Sequence, residues 1–76
     1  MENAGYRHSG YVKFFDHERG FGFVRDHKDA HDYFLHVSEV QRSGLRDSDL
    51  RVGAEITFTL IPGNSKGPKC SELELV

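Results

Sequence analysis

The chain has 76 residues, 37% of them hydrophobic and 29% charged, with a formal net charge of −2. This is one small domain, near the size at which a hydrophobic core suffices without disulfides or a metal, and its composition is not that of a disordered chain. The acidic balance argues against a general duplex binder, which needs a basic surface to displace counterions. It leaves room for a binder of single strands, where stacking on rings supplies much of the affinity. The single cysteine, Cys70, cannot form an intramolecular disulfide and fits a reducing compartment. Its expected role is that of a small, partly buried apolar residue. No apolar run is long enough to cross a membrane, and the start, Met1 to Arg7, has no secretory-type hydrophobic stretch. The expected location is the cytoplasm.

No window repeats apolar residues at helical spacing. Short alternating runs separated by Gly, Asp, Asn, Ser and Pro predict an all-β barrel or sandwich. After a short tail over residues 1–7, the domain occupies residues 8–76. The first strand runs from Ser9 to Asp16, and a tight turn at His17-Glu18 leads to the second, Arg19 to Arg25. A polar loop over 26–30 precedes the third strand, Asp32 to Val37. Ser38 is the expected N-cap of a single helical turn over Glu39, Val40 and Gln41. Residues 42–53 form a long polar loop. The fourth strand, Ala54 to Ile61, alternates most cleanly, with Ala54, Ile56, Phe58 and Leu60 on one face. A turn over 62–68 leads to the fifth, Lys69 to Val76. Five short strands bury an apolar face by closing into a barrel. The expected interior is Val12, Val24, Leu35, Val40, Ile56, Phe58, Leu60 and Leu73.

Aromatic side chains two residues apart on a strand share a face. Phe21 and Phe23 do so, as do Phe34 and His36, with Lys13, Arg19 and Arg25 nearby. Val24, Tyr33, Leu35 and Val37 occupy the opposite faces, so the rings are not needed for the core. Such a surface suits the stacking of unpaired bases. Gly20 and Gly22 alternate with the rings and are expected to let bases approach the backbone.

Four segments taken together, Gly10 to Asp16, Arg19-Gly20-Phe21-Gly22-Phe23-Val24, Asp32 to Ser38 and Gly67-Pro68, closely resemble the cold-shock domain in order and spacing. The resemblance implies an OB-fold, a five-stranded antiparallel barrel that binds single-stranded RNA and DNA across strands two and three. It implies an RNA chaperone or regulator of transcription and translation, in the form of a stand-alone bacterial-type protein. Lys13, Phe14, Arg19, Phe21, Phe23, Phe34 and His36 match the family's nucleic-acid-contacting positions, and Lys66 corresponds to a basic contact on the last turn. Strict alternation would put Phe14 beside the buried Val12, so a twist or bulge must turn it outward; alternation leaves the direction of Phe15 open. The chain departs from the family pattern at three places: Phe14 replaces a tryptophan, and Val37 and Leu45 replace aromatics. Each base stack contributes about 1–3 kcal/mol, so weaker or differently selective binding is expected, with Tyr11 or Arg25 as candidate replacements.

Four rival readings fit parts of the sequence. The Arg-Gly-Phe-Gly-Phe-Val segment also opens the RNA-recognition-motif signature, but that fold needs a strand and a helix before it, and its final aromatic falls on Asp26. His27, Asp29, His31 and Asp32 could hold a divalent ion, although a solvated loop is the plainer reading, so no metal or cofactor is expected. No nucleophile lies beside a base and no phosphate loop is present, so neither catalysis nor a small-molecule substrate is expected. The alternative function is an OB-fold protein-interaction module with weakened nucleic-acid binding. A monomer is expected, with loop 42–53 a candidate hinge for strand exchange.

Overall fold

The computed structural model describes residues 7–63 and 67–76. Five strands, β1 (His8–Asp16), β2 (Phe21–Asp26), β3 (Asp32–His36), β4 (Glu55–Ile61) and β5 (Lys69–Leu75), close into a barrel in the order β1-β2-β3-β5-β4. A short helix α1 (Val37–Arg42) follows β3, and a 3-10 turn (Asp47–Asp49) lies in the loop before β4. Each ladder is antiparallel except the seam between β3 and β5, where Phe34 pairs with Lys69 in parallel. Of the tail expected over 1–7, only Arg7 is among the described residues. Its guanidinium donates to Thr57 Oγ1 at 2.9 Å and to the Glu72 carbonyl at 2.7 Å, so it is fastened to the barrel.

The interior consists of Val12, Phe15, Val24, Leu35, Val40, Leu50, Ile56, Phe58, Cys70 and Leu73. Leu60, expected inside, is only half-buried. The β4–β5 register slips between Thr57 and Thr59, so the clean alternation of β4 ends at Phe58. Thr59 is buried instead, and its hydroxyl donates to the Ser71 carbonyl at 3.3 Å. Glu72 lies at the slip with a left-handed φ of 48°, the local kink that a bulge imposes. Leu50 reaches the core from the polar-looking loop, immediately after the 3-10 turn. Cys70 is fully buried, and burial pushes its thiol up to about 12, which leaves it unreactive.

The third strand ends one residue earlier than expected. Val37 opens α1, and His36 is the N-cap in place of Ser38: His36 Nδ1 accepts from the Ser38 amide at 3.1 Å. An imidazole nitrogen thus does the work usually given to Ser or Asp.

Asp26, at the end of β2, is 1% exposed. A buried carboxylate persists only when its lone pairs are filled. The Lys28 amide donates to Oδ1 at 2.7 Å, the Asp29 amide to the same oxygen at 3.2 Å, and His8 Nδ1 lies 2.6 Å from Oδ2. Burial alone would push the acid's pKa up, but these hydrogen bonds outweigh it and hold the carboxyl below its usual range. A carboxyl depressed in the folded state stabilises it above the unfolded value, near 3.9, and loses that contribution as pH falls through the folded value. Asp26→Asn should therefore cost about 1–3 kcal/mol at pH 7. Urea unfolding should show the gap to wild type closing as pH drops below about 4.

Candidate nucleic-acid interface

The position of the site starts with one inserted residue in β1. Val12 pairs with Val24, but Phe14, two residues on, pairs with Phe23, so Lys13 is the extra residue of a β-bulge. Val12 turns its backbone to the other side of the barrel: its amide donates to the Ala54 carbonyl at 3.0 Å, and the Gly53 amide donates to the Val12 carbonyl at 2.7 Å. After the bulge, Phe14 stands outside, 46% exposed, while Phe15 enters the core. This is the interruption that an outward Phe14 requires. Opposite it, Gly22 is buried against β1; a Cβ there would lie 2.1 Å from the Phe14 carbonyl oxygen and 2.7 Å from Phe15 Cα. Gly20 is also buried, with φ +75° and Val37 Cγ1 2.9 Å from where its Cβ would be. Both glycines therefore serve the packing of strand and helix.

The outer face follows from the registers. Phe14, Phe23 and Phe34 form one row across β1, β2 and β3; Phe21 and His36 form the next across β2 and β3. Phe21 and Phe34 stack with centroids 5.9 Å apart and planes inclined by 22°. Phe14 meets Phe21 edge-on at 6.1 Å, Phe23 meets Phe34 at 5.9 Å, and His36 lies 6.3 Å from Phe34. Five of the eight expected site residues, Phe14, Phe21, Phe23, Phe34 and His36, therefore form one continuous ring surface.

The cations flank it. Lys13 Nζ is 3.5 Å from Asp32 Oδ2, and the Arg25 guanidinium binds the same carboxylate. The hydrogen bond from Arg25 holds Asp32 below the usual carboxylate range, against the opposing effect of burial. Arg19, 78% exposed, stands 3.9 Å from Asp16. Lys66 lies outside the described residues. Val37 and Leu45 both lean on the core, so neither adds a ring to this face. Lys69, which sequence reasoning missed, joins the face beside Phe34 across the β3–β5 seam. Nothing local marks it, because the closing of the barrel alone puts the two together.

Three of the four residues that could hold an ion, His27, Asp29 and Asp32, engage partners outside the four. His27 Nε2 lies 2.7 Å from Glu55, Asp32 binds Arg25, and Asp29 accepts from the His31 amide at 2.9 Å and the Tyr33 hydroxyl at 2.8 Å. The Asp29 hydrogen bond, with burial, pushes Tyr33 up to about 12, so it stays a donor. Among the described residues, the ligand atoms that do converge within 4.8 Å belong to His8, Asp26 and Asp29, and the carboxylates there already accept the hydrogen bonds given above.

A closed five-stranded barrel whose second and third strands present a row of rings defines an OB-type nucleic-acid-binding domain. Residues 8–76 match the family described as the 'Cold-shock' DNA-binding domain. The chain is 37% identical over 59 residues to the "Probable cold shock protein y4cH" of Sinorhizobium fredii, covering 78% of this chain and 83% of that protein. It is 34% identical over 64 residues to "Cold shock protein CspA" of Rhizobium meliloti, covering 84% and 90%. Against "Cold shock protein ScoF" of Streptomyces coelicolor, identity is 37% over 65 residues, covering 86% and 92%. The chain belongs to the cold-shock domain family, and nucleic-acid binding of the cold-shock type is its function.

His36 carries a ring on this face and a cap for α1, and the two roles are separable. His36→Ala should lower stability by about 0.5–2 kcal/mol, the cost of a lost cap. His36→Asn should restore stability, because Asn is a good cap, but not binding, because it lacks the ring. Thermal melts alongside an oligonucleotide titration would check both.

Proposed function

We propose that this protein binds single-stranded RNA and DNA on the ring surface of β1–β3 and acts as an RNA chaperone. The continuous row Phe14, Phe23, Phe34 with Phe21 and His36 beside it supports the reading. Rings in contact and at least partly exposed offer π-faces that any unpaired base can stack on. A paired duplex hides those faces, so binding shifts hairpins toward the open form by mass action, with no energy source. Lys13, Arg19 and Lys66 neutralise the phosphates. Lys13 is paired with Asp32, and Val37 and Leu45 contribute no ring, which supports weaker binding than a full set of aromatics would give. The working unit is a cytoplasmic monomer without catalytic activity. No helix among the described residues is long and apolar enough to cross a membrane.

Fluorescence anisotropy of a labelled oligothymidine at two salt concentrations tests this; the chain has no tryptophan, so the label belongs on the nucleic acid. Phe21→Ala should weaken binding by about 1–3 kcal/mol, roughly 5- to 150-fold, and added salt should weaken it further. Affinity unmoved by both Phe21→Ala and Phe34→Ala would place function elsewhere, on a protein partner.

A further inference from the structure

The outer face does not end at the phenylalanines. One step further from His36, the registers place Tyr11, Arg25 and Asp32 in a row across β1, β2 and β3. Arg25 and Asp32 lie two residues from Phe23 and Phe34, so they share the outer face with them. Tyr11 shares it too: its chain neighbour Val12 is buried in the core, and Tyr11 itself is only partly buried.

A second ring stands against Tyr11. His27 follows the end of β2, and its ring centroid lies 5.4 Å from that of Tyr11 with the planes inclined by 37°. Two bonds fix it there. Its amide donates to the Ser9 carbonyl at 2.9 Å, which ties it to β1. Its Nε2 lies 2.7 Å from Glu55 Oε1, on β4. Glu55 is also the residue opposite Tyr11 in the β1–β4 ladder. Tyr11 and His27 are thus an aromatic pair held from β1 and β4, and neither ring belongs to the hydrophobic core.

The ground between the phenylalanines and this pair is positively charged. Lys13 and Arg25 share the single carboxylate of Asp32, so one positive charge is left over. It lies where a strand passing from Phe23 to Tyr11 carries a phosphate. Arg25 also bridges the rings, because a guanidinium is flat and weakly hydrated and a base can rest on it. Beyond Tyr11 the sign changes. The carboxylate of Glu55 is exposed and meets a further phosphate with like charge, which ends the track there.

We propose that Tyr11 and His27 form a further base-stacking subsite, reached over Arg25, that extends the single-strand track by one nucleotide past Phe23. Two residues along a strand span about 7 Å, roughly twice the 3.4 Å rise of bases stacked in a duplex. A single strand on this face is therefore drawn out, with its bases on the protein rings and not on one another. The subsite takes any base, because every base has a π-face. The inference rests on the proposed single-strand binding.

The test titrates labelled oligothymidines of graded length, from about 4 to 16 nucleotides, the range that OB folds span. Anisotropy compares wild type with Tyr11→Thr, His27→Thr, Tyr11→Phe and His27→Phe. Thr suits a strand position, and circular dichroism verifies that each variant is folded. On the shortest oligonucleotide that wild type binds, all five proteins should bind alike. With increasing length, wild type should gain an increment that both Thr variants lack, leaving each about fivefold or more weaker, the lower end of one base stack. Both Phe variants should keep the increment, since the ring is retained. A loss of equal size at every length would make these residues supports of the fold or of the charged row, and not a subsite. A loss in the Phe variants as large as in the Thr variants would assign the effect to polar atoms and overturn stacking. A loss in one Thr variant alone would overturn the pairing and leave only that ring. Wild-type affinity at every length in both Thr variants, with Phe21→Ala still weakening binding, would overturn the subsite and leave single-strand binding intact. Wild type that binds no oligothymidine would overturn the proposed function and this inference together.

Discussion

Two neighbouring phenylalanines in β1 face opposite ways, and the extra residue before them decides which is which. Without Lys13 inserted between the pairs Val12–Val24 and Phe14–Phe23, Phe14 would share the inner face with Val12. The bulge gives Phe14 to the outer ring surface and Phe15 to the core in a single step. It also hands the backbone of Val12 from the β2 ladder to Gly53 and Ala54, which bends β1 so that it can serve two neighbours around a closed barrel. Gly22 is the counterpart of that bend. β1 crosses so close above it that no side chain fits. The inner packing and the outer ring surface therefore depend on the same few bonds.

Much of this was legible in the sequence, because strand periodicity is a local property. The alternations in β2 and β3 place Phe21, Phe23, Phe34 and His36 correctly on one side, and most of the expected core residues are inside. The failures occur where a residue's surroundings come from far along the chain. Leu60 is half-buried because β5 carries a kink at Glu72, a feature invisible in the β4 sequence. Leu50 reads as part of a polar loop, yet the 3-10 turn delivers it inside. His36 was legible as a ring but not as a cap, since Ser38 is the commoner residue for that task. Lys69 lies beside Phe34 only because the barrel closes there.

The electrostatics of the surface complement its shape. A small acidic protein cannot draw a polyanion by net charge, and here much of its positive charge near the face is already engaged. Lys13 and Arg25 share Asp32, Arg19 stands near Asp16, and Lys69 answers Glu39. Such pairing costs long-range attraction but fixes side chains that would otherwise sample many rotamers. The face is thus dominated by its rings, with the cations around it held in ion pairs.

The parallel seam between β3 and β5 has a consequence for how the molecule is made. β5 pairs with both β3 and β4, so it is the strand that seals the cylinder. On a ribosome, every strand before it emerges first, and until Lys69 and its successors are released, β3 and β4 both present open edges. Open edges recruit other chains, and contacts between distant segments form slowly because the loop between them must close first. A nascent chain halted before β5 thus carries both of its exposed edges at once. Pairing of β5 and removal of that hazard are the same event.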